Sequence, residues 1–173
     1  SDKQIFACDT FSGYPYKDNN PDMPLASGQF YADTNIDRVK NQYDKFNVSD
    51  QITIIEGRFD DTLHAHLSDQ RFSFAYFDAD LYNSTKVGLE FVYPRMAKGG
   101  IILFNNYGNY KRGKWGETDA ADEFCLKHNL KLNRQNTSWG TYIQLWIIDW
   151  FTKMNMKKEN RSGNTKLANL QDI

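Results

Sequence analysis

The chain has 173 residues with a formal net charge of −1, and hydrophobic residues, including 12 Phe, 10 Tyr and 4 Trp, make up 40% of it. This length and composition predict one folded domain with a sizeable core and exclude an intrinsically disordered chain. The near-neutral charge gives no electrostatic basis for a nucleic acid or an anionic membrane as principal partner, and no apolar stretch reaches the ~18 residues that span a bilayer.

The two cysteines are predicted to be buried thiols. Cys8 lies in a strand-like run and Cys125 in a helix-like run. Two cysteines are too few for a disulfide framework or a metal cluster, and this usage favours a cytoplasmic location.

Strands and helices alternate in the first half of the chain. The predicted elements are a strand over 5–8 that ends at Asp9, a long loop over 16–33, a helix over 35–47, a strand over 51–56, a turn over 57–61 and a helix over 62–67. A loop of this length is typical of a functional lid or of a disordered segment. The helix over 35–47 follows from apolar residues at helical spacing, and Thr34 is its predicted N-cap.

The same alternation continues in the second half and ends in a hairpin. The predicted elements are a strand over 72–80, a helix over 84–96, a strand over 101–104, a helix over 117–128 and two antiparallel strands over 130–135 and 141–148. This order predicts an α/β fold with a parallel sheet and right-handed crossovers. The predicted domain spans 1–152. The polar tail over 153–173 is predicted to be either mobile or an assembly arm, which leaves a homo-oligomer open.

The segment around Asp78 is the most informative part of the chain. An unbroken apolar run from Phe72 to Phe77 predicts a strand buried on both faces, and two carboxylates, Asp78 and Asp80, follow it. In parallel sheets, ligands bind at the carboxyl ends of the strands. The pair therefore either carries chemistry or includes a cap for the next helix.

Two other strand ends carry polar groups that should face the same edge of the sheet. Asp9 is suited to binding the hydroxyls of a ribose, or it caps its own turn. Asn105 and Asn106 follow the strand over 101–104. Their carbonyl oxygens could join the carboxylates around a hard cation such as Mg²⁺, or they make ordinary turn hydrogen bonds.

Four segments together resemble the macrocin O-methyltransferase family, in the same order. They are Asp9 to Pro15, Glu56 to Leu63, Asp78 to Thr85 and Tyr93 to Gly100, and the similarity covers roughly residues 4 to 148. That family acts on sugars of macrolide antibiotics and related natural products. The resemblance implies a class I methyltransferase fold, Rossmann-like, that uses S-adenosylmethionine and Mg²⁺.

The resemblance also implies roles for individual residues. Asp9 and Thr10 would bind the cofactor, with Asp9 holding its ribose, and the turn Gly57-Arg58-Phe59 would flank its adenine. Asp78 or Asp80 would bind metal beside the reacting methyl group, with Asn105 and Asn106 completing the metal site. Asp78 would be the catalytic residue and would also contact the cofactor.

The chain departs from the family in two places. Asn105-Asn106-Tyr107 stands where the family has Asp-Asp-Tyr, and the loss of two carboxylates weakens attraction for a divalent ion. The first strand of the fold and its Gly-rich cofactor turn should precede Asp9, but only eight residues do so. We therefore expect either a fragment of a longer protein or a rearranged fold with an incomplete cofactor site.

The sequence thus predicts an S-adenosylmethionine-dependent O-methyltransferase that acts on a hydroxyl of a small molecule, such as a sugar or natural product. The alternative is a non-catalytic binding or assembly module that has lost the cofactor loop. A dinucleotide enzyme is disfavoured because no G-x-G-x-x-G follows a strand. His64, His66 and His128 are expected to lie on the surface or in packing contacts rather than to act as a base. Tyr82, Tyr107, Tyr110 and Trp115 either line a pocket or pack in the core.

Overall fold

The computed structural model describes residues 3–14, 33–108, 116–137 and 140–146. The strands are β1 (Ile5–Asp9), β2 (Ile52–Glu56), β3 (Phe72–Phe77), β4 (Met96–Phe104), β5 (Leu132–Thr137) and β6 (Gly140–Trp146). The helices are α1 (Ile36–Lys45), α2 (Phe59–Leu67), α3 (Tyr82–Val92) and α4 (Gly116–His128). Most of the predicted loop over 16–33, the tail over 153–173 and the domain boundary at 152 lie outside the described residues.

The strands form two sheets. β1 pairs in parallel with β2, and the second sheet has the order β3-β4-β6-β5. β3 and β4 are parallel, whereas β6 is antiparallel to both β4 and β5. The α/β fold with parallel strands predicted from the alternation is therefore confirmed. Among the described residues, no helix is long and apolar enough to cross a membrane.

Helices α2, α3 and α4 pack side by side and cover one face of the sheets. One core cluster, which includes Leu89, Ile102 and Phe104, lies between β3, β4, α3 and α4. A second cluster joins β2, α2 and α3 through Ile55, Leu63, Leu67 and Phe91. Phe72 and Val92 pack against both clusters, so the two sheets share one hydrophobic core.

Helix α3 lies closely against β3 at Gly88. A Cβ atom at this position would lie 2.5 Å from Cε1 of Phe77, a distance that real Cβ atoms do not adopt. The missing side chain therefore lets α3 settle onto Phe77, the last residue of β3. This contact holds α3 against the end of β3, which Asp78 follows.

The prediction that β3 is buried on both faces is wrong. Phe74 is 54% exposed and Tyr76 is 49% exposed, while Phe77 is buried under the helices. Phe74 and Tyr76 pair with Ile101 and Leu103 of β4, so these four side chains share one sheet face. Within the described residues this apolar face remains open to solvent at Phe74 and Tyr76.

Several helix boundaries differ from the predictions. The N-cap of α1 is Asn35 rather than Thr34, and its side chain accepts a 2.8 Å hydrogen bond from the Arg38 backbone N–H. Helix α2 begins at Phe59, within the predicted turn, and the carboxylates of its first turn interact favourably with the helix dipole. Helix α3 ends at Val92, because Pro94 cannot donate the hydrogen bond that continuation of an α-helix needs.

Candidate active site

A cavity of about 810 Å³ opens at the carboxyl ends of β1, β2, β3 and β4. Its volume falls within the range of small-molecule sites, roughly 300–1,000 Å³. All the site residues predicted from the sequence line it, namely Asp9, Thr10, Gly57, Arg58, Phe59, Asp78, Asp80, Asn105 and Asn106. The structure therefore brings these residues together, while the role of each one stays a prediction.

Asp9 lies at the end of β1 and is held by the turn that follows. Its Oδ1 accepts a 2.7 Å hydrogen bond from the backbone N–H of Phe11, a residue with a φ of 51°. The neighbouring Thr10 hydroxyl donates to the carbonyl of Gly13 at 2.6 Å, which closes the same turn. One carboxylate oxygen of Asp9 thus caps the turn, and the exposed side chain still reaches the cavity.

The turn after β2 brings Gly57, Arg58 and Phe59 to the cavity wall. Gly57 adopts a φ of +135°, and a Cβ there would lie 2.7 Å from Cγ2 of Thr62, so only glycine fits. Its backbone N–H donates to the Asp9 carbonyl at 2.9 Å and ties the ends of β1 and β2 together.

The two residues after Gly57 are a polar Arg58 and an apolar Phe59. Arg58 hydrogen-bonds to Asp60, and this bond lowers the pKa of the Asp60 carboxyl. Phe59 is half-buried against the core and offers an apolar surface to the cavity.

The ends of β3 and β4 are joined by hydrogen bonds from amides to carboxylates. The Asn105 side-chain amide donates to Oδ1 of Asp78 at 2.7 Å. The Asn106 amide donates to the same oxygen at 3.3 Å and also to Oδ1 of Asp80. Asp78 is exposed to the cavity, whereas Asp80 is buried beneath it.

Asp80 connects several segments below the cavity. It adopts a φ of +56°, a backbone conformation that side chains other than glycine rarely take. The Tyr14 hydroxyl donates to its Oδ2 at 2.7 Å, and its backbone carbonyl accepts from the Glu117 N–H at 3.1 Å. Burial raises the pKa of Asp80, although the Tyr14 hydrogen bond acts in the opposite direction.

Glu117, in the first turn of α4, is a buried acid that the sequence analysis missed. Its side chain is 0% exposed, and burial raises its pKa from the ordinary value of 4.5 to about 8. Its Oε1 accepts a 2.8 Å hydrogen bond from the backbone N–H of Asn106, so it supports the turn after β4. A glutamate at a helix start is typically a solvated partner of the helix dipole, and no sequence pattern marked this one as buried.

The polar atoms of the four residues predicted to bind Mg²⁺ are not oriented as magnesium ligands. Mg²⁺ takes about six oxygen ligands in a near-ideal octahedron. In this site the amides of Asn105 and Asn106 present N–H groups to the carboxylates rather than oxygens to a cation. Among the described residues, no three His, Cys, Asp or Glu side chains form a group that could hold a metal ion. The expectation that Asp78, Asp80, Asn105 and Asn106 bind Mg²⁺ therefore does not fit the arrangement.

Two predicted aromatic candidates pack away from the cavity. Tyr107 is buried in the core and donates to Asp122, and the Tyr82 hydroxyl donates to Glu123 across α3 and α4. Tyr110 and Trp115 lie outside the described residues.

The histidines likewise lie away from the cavity. None of the three is among its lining residues. His64 packs edge-on against Phe91, and His128 stacks with Phe124, as expected for packing residues.

A sequence model of the macrocin O-methyltransferase family, TylF, matches residues 1–144. A curated relative, the 8-demethyl-8-(2,3-dimethoxy-alpha-L-rhamnosyl)-tetracenomycin-C 4'-O-methyltransferase of Streptomyces olivaceus, is 25% identical over 135 residues. That alignment covers 70% of this chain and 51% of the relative. The chain therefore spans about half the length of the curated relative it matches.

Solved structures of methyltransferases share the fold. The O-methyltransferase NovP superimposes with a TM-score of 0.69 at 24% identity, covering 83% of this chain and 60% of that one. The calicheamicin methyltransferase CalS11 gives a TM-score of 0.65 at 24% identity, with coverages of 84% and 61%. These likenesses show a class I methyltransferase fold. Because the family model matches residues 1–144 of the 173, the chain belongs to the macrocin O-methyltransferase family.

Proposed function

We propose that this chain is an S-adenosylmethionine-dependent O-methyltransferase that methylates a sugar hydroxyl of a natural product or of its activated sugar precursor. The observation that carries the proposal is the convergence of Asp9, the Gly57–Phe59 turn and Asp78 on one cavity. Membership of the family supports the reaction type. The curated relative is named for a rhamnosyl 4'-hydroxyl and CalS11 for TDP-rhamnose, which supports the class of acceptor.

The residues along one side of the cavity fit the adenosine part of the cofactor. Asp9 uses Oδ1 in its turn, and Oδ2 accepts no hydrogen bond from the described part of the chain. A carboxylate oxygen at a strand end is suited to accept from ribose hydroxyls. Phe59 provides a flat apolar contact for the adenine, next to the exposed Arg58.

When bound, S-adenosylmethionine supplies a methyl group on a positively charged sulfur, which is already electrophilic. The protein therefore acts mainly by alignment, which can lower a barrier by roughly 7–11 kcal/mol. Asp78 is placed to orient the acceptor hydroxyl and take its proton. Oδ1 of Asp78 accepts from both asparagine amides, which leaves Oδ2 to face the acceptor. Since Asp78 is exposed at the cavity, the proton can then pass to solvent.

The proposal predicts methyl transfer by the purified chain. We expect methylated product when the chain is incubated with S-adenosylmethionine and deoxysugar acceptors, such as TDP-rhamnose or a rhamnosylated polyketide, with mass spectrometry as the readout. A catechol acceptor serves as the control without a sugar and should remain unmodified. A folded chain that neither binds the cofactor nor methylates any of the sugar acceptors would instead support the non-catalytic module.

The cytoplasmic location and the homo-oligomer stay predictions from the sequence. Most of the loop over 16–33 and the segment 109–115 lie outside the described residues. The assay with sugar acceptors described above determines which acceptor is used.

A further inference from the structure

The carboxylates of Asp78 and Asp80 accept hydrogen bonds from side-chain amides. A carboxylate can only accept hydrogen bonds, so an asparagine next to it must turn its NH₂ group, not its oxygen, toward it. Asn105 and Asn106 both do so, toward Asp78, and Asn106 also reaches Asp80. We call this pair of asparagines the amide clamp.

Hydrogen bonds occupy most of the positions at which a cation would bind. Of the four oxygens of Asp78 and Asp80, three accept: Oδ1 of Asp78 and both oxygens of Asp80, whose Oδ2 receives the Tyr14 hydroxyl. A divalent ion would need the same lone pairs, and its charge would be repelled by the amide hydrogens. The one remaining oxygen, Oδ2 of Asp78, cannot form a magnesium site by itself.

The backbone of the amide clamp is fixed from both sides. The Asn105 N–H donates to the Phe77 carbonyl at 2.9 Å, and the Asn106 N–H donates to the buried Glu117 at 2.8 Å. The next residue, Tyr107, is buried in the core and hydrogen-bonds to Asp122. The turn is therefore anchored in its present position, with both amides directed at the carboxylates.

We propose that the amide clamp of Asn105 and Asn106 replaces a divalent cation in this site, so that Asp78 and Asp80 are positioned without metal. Asn105 and Asn106 are positioning residues in this account, and they act through Asp78. One part of this inference, that methyl transfer needs no metal, rests on the proposed function. Its binding test is independent of any activity.

The test compares Mg²⁺ and Mn²⁺ binding by the full 173-residue chain and by an Asn105→Asp/Asn106→Asp variant, using titration calorimetry. We expect no saturable binding by the native chain and one saturable site in the variant, because four clustered carboxylates attract a divalent ion. The unfolding temperature of the variant should rise with Mg²⁺, and that of the native chain should not. If the double variant does not fold, the single Asn106→Asp variant is measured instead.

A matched control adds the same charge elsewhere. Asn41→Asp/Gln42→Glu places two new carboxylates on the exposed surface of α1 and should bind no metal at a saturable site. Saturable binding of Mg²⁺ by the native chain, lost in Asp78→Asn, would overturn the proposal. The proposal would also be overturned if neither the native chain nor a folded Asp variant bound a metal ion. In that case something other than the two amides would exclude the cation.

An activity measurement separates this proposal from the proposed function. If the native chain transfers methyl groups, EDTA should leave the rate unchanged. A rate that is lost with EDTA and restored by Mg²⁺ would contradict the proposal that the amide clamp replaces a divalent cation. If the native chain transfers none, the proposed function fails, while the calorimetric comparison still decides how the carboxylates are held.

Discussion

Asp78→Ala is expected to lower the rate of methyl transfer by about 10²–10⁴-fold, the range that a positioned general base contributes. The unfolding temperature should remain nearly unchanged. Asp78 is exposed at the cavity, and its hydrogen-bond donors, the amides of Asn105 and Asn106, can turn to solvent when it is removed. The measurement is the initial rate at saturating S-adenosylmethionine and acceptor, together with a thermal melt of the same sample.

Two further variants show whether the loss is chemical. Asp78→Asn keeps the shape of the side chain but cannot take a proton, so it should be as inactive as the alanine variant. Asp69→Ala removes an exposed carboxylate between α2 and β3 and should change neither rate nor unfolding temperature. Full activity of Asp78→Ala would exclude Asp78 from the reaction. Slow transfer that recovers fully at higher cofactor concentration would place Asp78 in cofactor binding instead.

Glu117→Gln is expected to remove a pH dependence of stability. The folded-state pKa of Glu117 is raised by burial to about 8, against an ordinary value of 4.5. Between these pH values the folded chain holds a proton that the unfolded chain releases, so stability falls as the pH rises. With about 1.4 kcal/mol for each pKa unit, the loss reaches roughly 3–5 kcal/mol between about pH 4.5 and pH 8.

Glutamine keeps the oxygen that accepts from the Asn106 N–H but cannot ionise. The variant should therefore match the native chain near pH 5 and exceed its stability near pH 8, measured by urea unfolding across that range. Glu56→Gln, at the exposed end of β2, is the control and should leave the native pH profile unchanged. A difference between native chain and Glu117→Gln that stays constant with pH would show that Glu117 is ionised in the folded state.

The location of the site could be predicted from the sequence because it depends on strand direction alone. Apolar runs that end in Asp9, Asp78 and Asn105 read as parallel strands, and parallel strands bring their carboxyl ends to one edge. The contacts inside the site could not be predicted. Tyr14 and Asp80 are 66 positions apart, and no pattern in the sequence pairs them.

The identity of a residue also does not determine how its polar atoms are used. From the sequence, Asn105 and Asn106 are either oxygen ligands or partners in turn hydrogen bonds, whereas in the structure their carboxylate neighbours require the amides to donate. The burial of Glu117 follows from the close packing of α4 against the ends of β3 and β4, which local sequence does not report.

The fold shows a related limit. The apolar side chains of β3 predict that both of its faces favour burial. They do not predict whether another helix or strand covers each face. Phe74 and Tyr76 are consequently half-exposed in the described structure, although their sequence is that of a central strand. The position of Pro94, in contrast, does mark the end of α3, although the predicted helix extends past it to residue 96.

Separate strand ends must form one cofactor site if the chain is to bind S-adenosylmethionine, and calorimetric titration of the cofactor tests this most directly. The native chain should bind one equivalent, and Asp9→Ala should weaken binding by about tenfold or more, since hydrogen bonds to a carboxylate contribute about 1.5–3 kcal/mol. Asp50→Ala, an exposed position before β2, should bind as the native chain does. Equal affinity of the native chain and Asp9→Ala, or no binding by a chain that unfolds cooperatively, would contradict the account.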